Sequence, residues 1–211
     1  MIKDPYKRIA SLYDRAVEPF NKGIRKYAFK VADVHPGIDV LEVGCGTGAN
    51  LELFLKHGCR IHGIDLSSSM LKIAKDKFAD KANLILGDAS EMKEYEDQTF
   101  DLVIAMLTLH EMPQLIRMKV LKEMRRVMKN SGRILLVDYH PGPLRLPMGW
   151  IYKAIILFFE IAAGREHYKN YRNFIKNGAL PPLIENVGFL VDKKKIISKG
   201  NFAIYLLKWP L

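Results

Sequence analysis

Three glycines at alternate positions, Gly44, Gly46 and Gly48, constrain this chain more than any other part of it. They lie in DVLEVGCGTGANLELFLKHGCRIHGIDL, residues 39–66. The run that enters them, Val40, Leu41 and Val43, is short, apolar and partly β-branched, which predicts a buried parallel strand. The glycines let the backbone turn sharply and leave no Cβ between loop and ligand. Leu51, Phe54 and Leu55 then recur at helical spacing. Strand, glycine loop and helix start in succession form a nucleotide site, because free N–H groups and the helix dipole face the occupant. A second predicted strand, Ile61 to Ile64, ends at Asp65, where a carboxylate can accept from both ribose hydroxyls.

Further strands follow the same pattern. Leu84 to Leu86 reads as a third buried strand and ends in Gly87-Asp88-Ala89, where Asp88 can accept from an adenine amino group and the Ala89 N–H can donate to the ring. Phe100 to Met106 is a fourth, and Arg133 to Val137 a fifth. Ligands of open parallel sheets bind at the carboxyl ends of the strands. That edge receives Met106, Thr108, His110 and Glu111 from one strand and Asp138, Tyr139 and His140 from the next. His110, Tyr139 and His140 are therefore candidate catalytic side chains, histidine being able to take a proton near neutral pH.

The helical spacing predicts helix over Pro5 to Val31, in two pieces around Pro19. Ser67 is a candidate N-cap for a helix with Met70, Leu71, Ala74 and Phe78 inward. A helix over Pro113 to Lys129 would turn Leu115, Leu121, Met124 and Met128 inward and its lysines and arginines outward, stopping at Asn130-Ser131-Gly132.

The length, 211 residues, suits one domain. Its two cysteines, Cys45 and Cys59, make no disulfide framework and no zinc cluster, and suit a reducing cytoplasm. The charged N-terminus has no apolar signal core. The net charge of +10 is unevenly spread. Residues 1–30 hold eight Lys/Arg against three Asp/Glu, residues 31–140 fourteen against sixteen, and residues 141–211 eleven against four. The excess thus lies in the flanks, which suits an anionic substrate or surface.

The loop reads E-x-G-x-G-x-G from Glu42, whereas nicotinamide enzymes prefer G-x-G-x-x-G. Together with Asp65 and Gly87-Asp88-Ala89 it resembles the class I S-adenosylmethionine-dependent methyltransferases over residues 40–139. The resemblance implies an α/β fold: a single-domain, seven-stranded, mostly parallel, Rossmann-like sheet in the order 3-2-1-4-5-7-6. Residues 32–140 would be the cofactor core and residues 181–211 a closing helix and hairpin. Residues 1–31 and the helical insert 141–180 would cover the site. It also implies S-adenosylmethionine as cofactor. Glu42, Gly44, Cys45, Gly46 and Thr47 would surround its methionine part, with Asp65 on the ribose, Leu66, Asp88 and Ala89 at the adenine, and Met106 beside the methyl group. Ile9-Ala10 and Tyr13-Asp14 look like the opening of the ubiquinone and menaquinone C-methyltransferase group, placing Tyr13 over the methionine end. Where that group carries Gly-Leu-Arg-Asn after the fourth strand, this chain has Leu107-Thr108-Leu109-His110-Glu111. Quinone-like, phospholipid and other small acceptors stay open, as do two rival readings, an NAD(P)-binding oxidoreductase and a non-catalytic or RNA-binding protein of this fold.

Several classes are excluded by missing residues. There is no Asn/Asp-Pro-Pro-Tyr/Phe stretch of nucleobase amino methylation, no Pro-Cys nucleophile, and too few cysteines for arsenite chemistry. The Gly-x-x-x-x-Gly-Lys-Ser/Thr loop and the Tyr-x-x-x-Lys pair of short-chain dehydrogenases are absent too, as is any recognisable RNA-binding motif. No metal ligand set is evident. Trp150 to Ala163 is apolar except at Lys153 and Glu160 and is too short to span a bilayer. Basic residues flank it, namely Arg145, Arg165, Lys169, Arg172 and Lys176, with Lys22, Arg25, Lys26 and Lys30 at the far end of the chain. Apolar aromatic surface framed by cations suits peripheral attachment to an anionic membrane, on the inner face if the protein is cytoplasmic.

Overall fold

The computed structural model of the chain describes residue 4 and residues 10–210, the side chains of residues 10–18 excepted. In chain order the helices and strands are α1 (Ala10–Ala32), β1 (Asp39–Val43), α2 (Leu51–Lys56), β2 (Arg60–Asp65), α3 (Ser68–Phe78), β3 (Ala82–Leu86) and β4 (Phe100–Met106). Then come α4 (Gln114–Val127), β5 (Met128–Tyr139), α5 (Met148–Ala162), α6 (Arg165–Lys176), α7 (Leu180–Val187), β6 (Leu190–Ile197) and β7 (Phe202–Lys208). One seven-stranded sheet runs β3-β2-β1-β4-β5-β7-β6, as expected. The first five strands in that order pair parallel, while β7 runs antiparallel to both neighbours.

The centre of the sheet is dry because its strands are apolar on both faces. Val40, Leu41 and Val43 of β1 and Val103 and Ile104 of β4 are fully buried, as strands covered by helices on either side must be. Ser67 caps α3 through its hydroxyl, which accepts from the Met70 N–H at 3.2 Å. The helix turns Met70, Leu71, Ala74 and Phe78 into the core.

Four local expectations are corrected. Helix α1 continues through Pro19 as one element; a proline removes one donor, which a long packed helix tolerates at the cost of one bond. Strand β3 forms the sheet edge, so Leu86 is 55% exposed rather than buried. In α4 it is Leu115 that faces solvent and Arg117 that is fully buried, together with Val120, Leu121 and Met124. That helix ends at Val127, and Asn130-Ser131-Gly132 lies inside β5, where the pairing with β4 shifts register between Phe100 and Leu102. A Cβ on Gly132 would stand 3.0 Å from the carbonyl oxygens of Lys129 and Phe100, so glycine fits this irregular crossing.

Candidate active site

The glycine loop folds as its sequence demands. Gly44, Gly46 and Gly48 all have positive φ, 67°, 53° and 74°. A Cβ on Gly44 would meet Thr108 Oγ1 at 2.3 Å and one on Gly48 the Phe78 ring at 2.3 Å. At Gly46 it would meet no protein atom within 4 Å, because that glycine borders a cavity. The cavity encloses about 390 Å³. Glu42, Gly44, Cys45, Gly46, Thr47, Asp65, Leu66, Asp88, Ala89 and Met106 all line it, so each residue expected at the cofactor stands on one wall.

Two carboxylates set the chemistry of this cleft. Asp65 accepts from the Gly46 N–H at 2.7 Å through Oδ2 and from the Ser67 N–H at 2.8 Å through Oδ1. It therefore ties the loop to the end of β2 while lining the cavity. Burial raises its pKa, partly offset by those amides. Glu42 is buried deeper. Its Oε1 accepts from Asn50 Nδ2 at 2.9 Å, while Oε2 has no hydrogen-bond partner. Burial pushes the Glu42 carboxyl up to about 8, against the pull of Asn50 and of the Arg25 charge. A buried carboxylate oxygen without a donor is where the ammonium of an amino-acid moiety fits. The residues present thus suit S-adenosylmethionine, which when bound supplies the transferable methyl group.

A second cavity, about 1370 Å³, adjoins the first, and Asn21, Leu107 and Glu111 border both. Leu107 follows β4 with φ 54°, a strained conformation for leucine, held by its N–H on the Val137 carbonyl at 2.8 Å. The walls are mostly apolar and aromatic, among them Phe20, Tyr27, Tyr152, Ile156, Phe159 and Phe202.

A polar cluster is set into that wall. His110, on the short 3-10 turn Leu109–Glu111 after β4, holds Asp138 Oδ1 with Nδ1 at 2.7 Å. The Tyr139 hydroxyl donates to Glu160 Oε1 at 2.8 Å, and His167 Nε2 lies 2.9 Å from Glu160 Oε2. Burial works against a charged His110, but the carboxylates of Asp138, Glu160 and Glu111 outweigh it and raise its pKa to about 9. His110 is therefore protonated at neutral pH when only protein surrounds it, which corrects the expectation of a ring poised near 7. Burial also works against the Glu160 carboxylate, yet the His167 and His110 rings hold it below its usual range. Tyr139, buried beside Glu160, is pushed well above the usual phenol value.

His140 stands apart from this cluster. It lines the chamber, accepts from the Gly142 N–H through Nδ1 at 3.1 Å and is lowered by burial, so it serves the loop at residues 140–142. The Tyr13 side chain lies outside the described residues. Sequence reasoning missed Asn21, Arg117, Glu160 and His167. Arg25, read as a surface cation, is buried and borders the cofactor cavity. Glu160 carried a signal: an acid in an otherwise apolar helix needs buried partners. Arg117 carried none, being one cation among several on α4.

Beneath the cluster Arg117 acts as a fixed fork. Its Nε donates to the Leu109 carbonyl at 2.8 Å, Nη1 to Asn173 Oδ1 at 2.9 Å, and Nη2 to the Asn170 carbonyl at 2.7 Å and the His110 carbonyl at 3.3 Å. Asn170 in turn donates from Nδ2 to the Glu111 carbonyl at 2.7 Å. The turn bearing His110 and Glu111 is thereby bolted to α6.

Comparison with known proteins agrees with this geometry. Residues 41–136 match the family model described as a methyltransferase domain. The chain is 31% identical over 188 residues to demethylmenaquinone methyltransferase of Bacillus mycoides, covering 82% of this chain and 76% of the relative. The Bacillus cereus (strain ATCC 10987) enzyme of that name is 31% identical over 208 residues, 91% of this chain and 85% of that one. Among solved structures, a SAM-dependent methyltransferase from Aquifex aeolicus superposes with a TM-score of 0.62 at 18% identity, covering 87% of this chain and 88% of that one. A TehB-like SAM-dependent methyltransferase from Corynebacterium glutamicum gives 0.64 at 16%, with 95% and 98% covered. At those identities the structural likeness concerns the fold alone. The chain belongs to the class I S-adenosylmethionine-dependent methyltransferases. Within that class it stands near the quinone methyltransferase group. Its cofactor is S-adenosylmethionine, and the nicotinamide and non-catalytic readings are set aside.

Proposed function

We propose that this methyltransferase modifies a small lipophilic acceptor, quinone-like or a phospholipid, taken from an anionic membrane surface. The observation that carries the reading is the large apolar chamber beside the cofactor cleft, with one buried polar cluster set in the chamber's wall. Displacement at a sulfonium needs little help for the leaving group. Its barrier falls when the acceptor atom is held in line and water is kept out. The apolar walls orient the acceptor, Leu107 borders the opening through which it meets the cofactor's methyl group, and His110 with Tyr139 and Glu160 faces its polar end. Glu42, Asp65, Asp88 and the glycine loop hold the cofactor, and α1 with α5 and α6 covers the two cavities. The named relatives act in demethylmenaquinone methylation, which supports a lipophilic acceptor. The departure at Leu107 to Glu111 is the reason for leaving the head group as a class.

The outer face of α5 supports a membrane source. Trp150, Ile151, Phe158 and Ile161 are 49–68% exposed, with Leu146 beside the helix at 77%. Arg145, Arg165, Lys169 and Arg172 are exposed around them. Among the described residues no helix is long and apolar enough to cross a membrane, so contact would be peripheral. Each nearby cation contributes roughly 1 kcal/mol at an anionic surface. The test has two arms. Labelled methyl should pass to quinols or phospholipids, and transfer only to water-soluble amines would overturn the acceptor class. The protein should sediment with vesicles rich in anionic lipid, less so in high salt and less after Ile151→Glu with Phe158→Glu; a protein left in the supernatant at every composition would overturn the membrane source.

A further inference from the structure

We propose that the polar cluster in the chamber wall is a binding site for one divalent transition-metal ion, with His110, His167 and Glu111 as ligands and Glu160 beside them. One ligand atom from each of the first three lies within 4.8 Å of the others. Ions of this class bind nitrogen and oxygen at about 2.0–2.2 Å, so donors sharing one stand roughly 3–4 Å apart. The separations follow suit. His110 Nε2 is 3.6 Å from Glu160 Oε1 and 4.0 Å from Glu111 Oε1, and His167 Nδ1 is 4.0 Å from Glu111 Oε2.

Orientation supports the same occupant. Asp138 holds His110 by Nδ1, which turns Nε2 towards the cluster, the arrangement in which a carboxylate behind a histidine fixes a metal ligand. The nearest carboxylate oxygen to that Nε2, at 3.6 Å, lies beyond hydrogen-bond range. Glu160 makes the second, independent point. Its residue is 4% exposed, and its Oε2, 2.9 Å from His167 Nε2, adds a buried carboxylate to the cluster. With Nε2 turned to Glu160, His167 would meet the ion through Nδ1, the nitrogen that faces Glu111. Tyr139 holds the other Glu160 oxygen in place.

Two imidazoles with carboxylates select zinc, manganese or ferrous iron over magnesium, which prefers oxygen alone, and over cuprous copper, which prefers sulfur. The position, in the wall of the acceptor chamber, suits an ion that binds an acceptor oxygen and eases loss of its proton. Binding of the ion itself is independent of the methyl-transfer reading, so either can fail without the other.

The test uses the full chain after treatment with a chelator, titrated calorimetrically with zinc chloride and with manganese chloride. One equivalent of at least one of them should bind and raise the melting temperature. His167→Ala and Glu111→Gln should each weaken binding about tenfold or more. A double change of the exposed His35 and His57 to alanine should leave it unaltered. An unchanged far-ultraviolet circular dichroism spectrum and a cooperative melt certify that each variant folds, and His167→Gln replaces His167→Ala should the latter fail that check. No binding of either metal in large excess, or binding that survives the cluster variants unchanged, would overturn the site.

Discussion

At the scale of single residues, Glu42 is the most exposed to experiment because its two roles pull apart. Unfolded, its carboxyl titrates at its ordinary value of 4.5, while in the empty cleft burial holds the proton to about 8. Between those values the native state carries a proton that the unfolded chain has lost, so this group's contribution makes stability fall as pH rises, and the loss is complete above 8. Glu42→Gln has no such titration. The cofactor-free variant should melt above the parent at pH 8.5 and draw level towards pH 4.5, read by calorimetric scans across that range. The same change removes the charge offered to the cofactor's ammonium and should cost about 1.5–3 kcal/mol of cofactor binding. A variant that is both more stable when empty and weaker in binding would mark Glu42 as a binding group held at a cost to the fold.

Among the elements, α6 depends on one side chain. Arg117 serves three backbone carbonyls, those of Leu109, His110 and Asn170, and packs 5.1 Å over the Phe174 ring. Arg117→Met keeps bulk but leaves carbonyls without donors, each costing about 1–3 kcal/mol when buried. Denaturant unfolding should show a loss of about 3 kcal/mol or more. Arg117→Lys should not restore it, since an ammonium cannot reproduce the planar fork. Cofactor affinity should hold while kcat falls, because Arg117 supports the chamber wall and does not border the cofactor cavity. The two halves of the site also differ in how far the sequence announced them. The cofactor cleft is written mostly in residues 39–66, where strand, glycine loop and acid are neighbours in the chain as well as in space. The chamber joins His110 to Glu160 and His167 across a fifty-residue gap and more, a meeting that no local periodicity encodes. Arg117 and Leu115 exchange their expected places for a related reason: tertiary hydrogen bonds to α6 outweigh the helix's own amphipathic pattern.

For the whole molecule, the uneven charge now has more than one cause. Lys193, Lys194 and Lys195 lie on β6, the edge of the sheet, where lysines discourage pairing with other chains. Arg25 is buried and lines the cavity beneath the glycine loop. The cations left around α5 are fewer than the composition suggested, and they surround its exposed apolar face. The boundary shared by the two cavities has a consequence for the order of events in turnover. Asn21, Leu107 and Glu111 belong to both, so a chamber whose partition is unsupported on one side is an incomplete receptacle. Turnover should then be a compulsory sequence, with S-adenosylmethionine first on and its demethylated remnant last off. Initial-rate measurements would register this as inhibition by S-adenosylhomocysteine that competes with S-adenosylmethionine alone, while methylated acceptor competes with neither substrate.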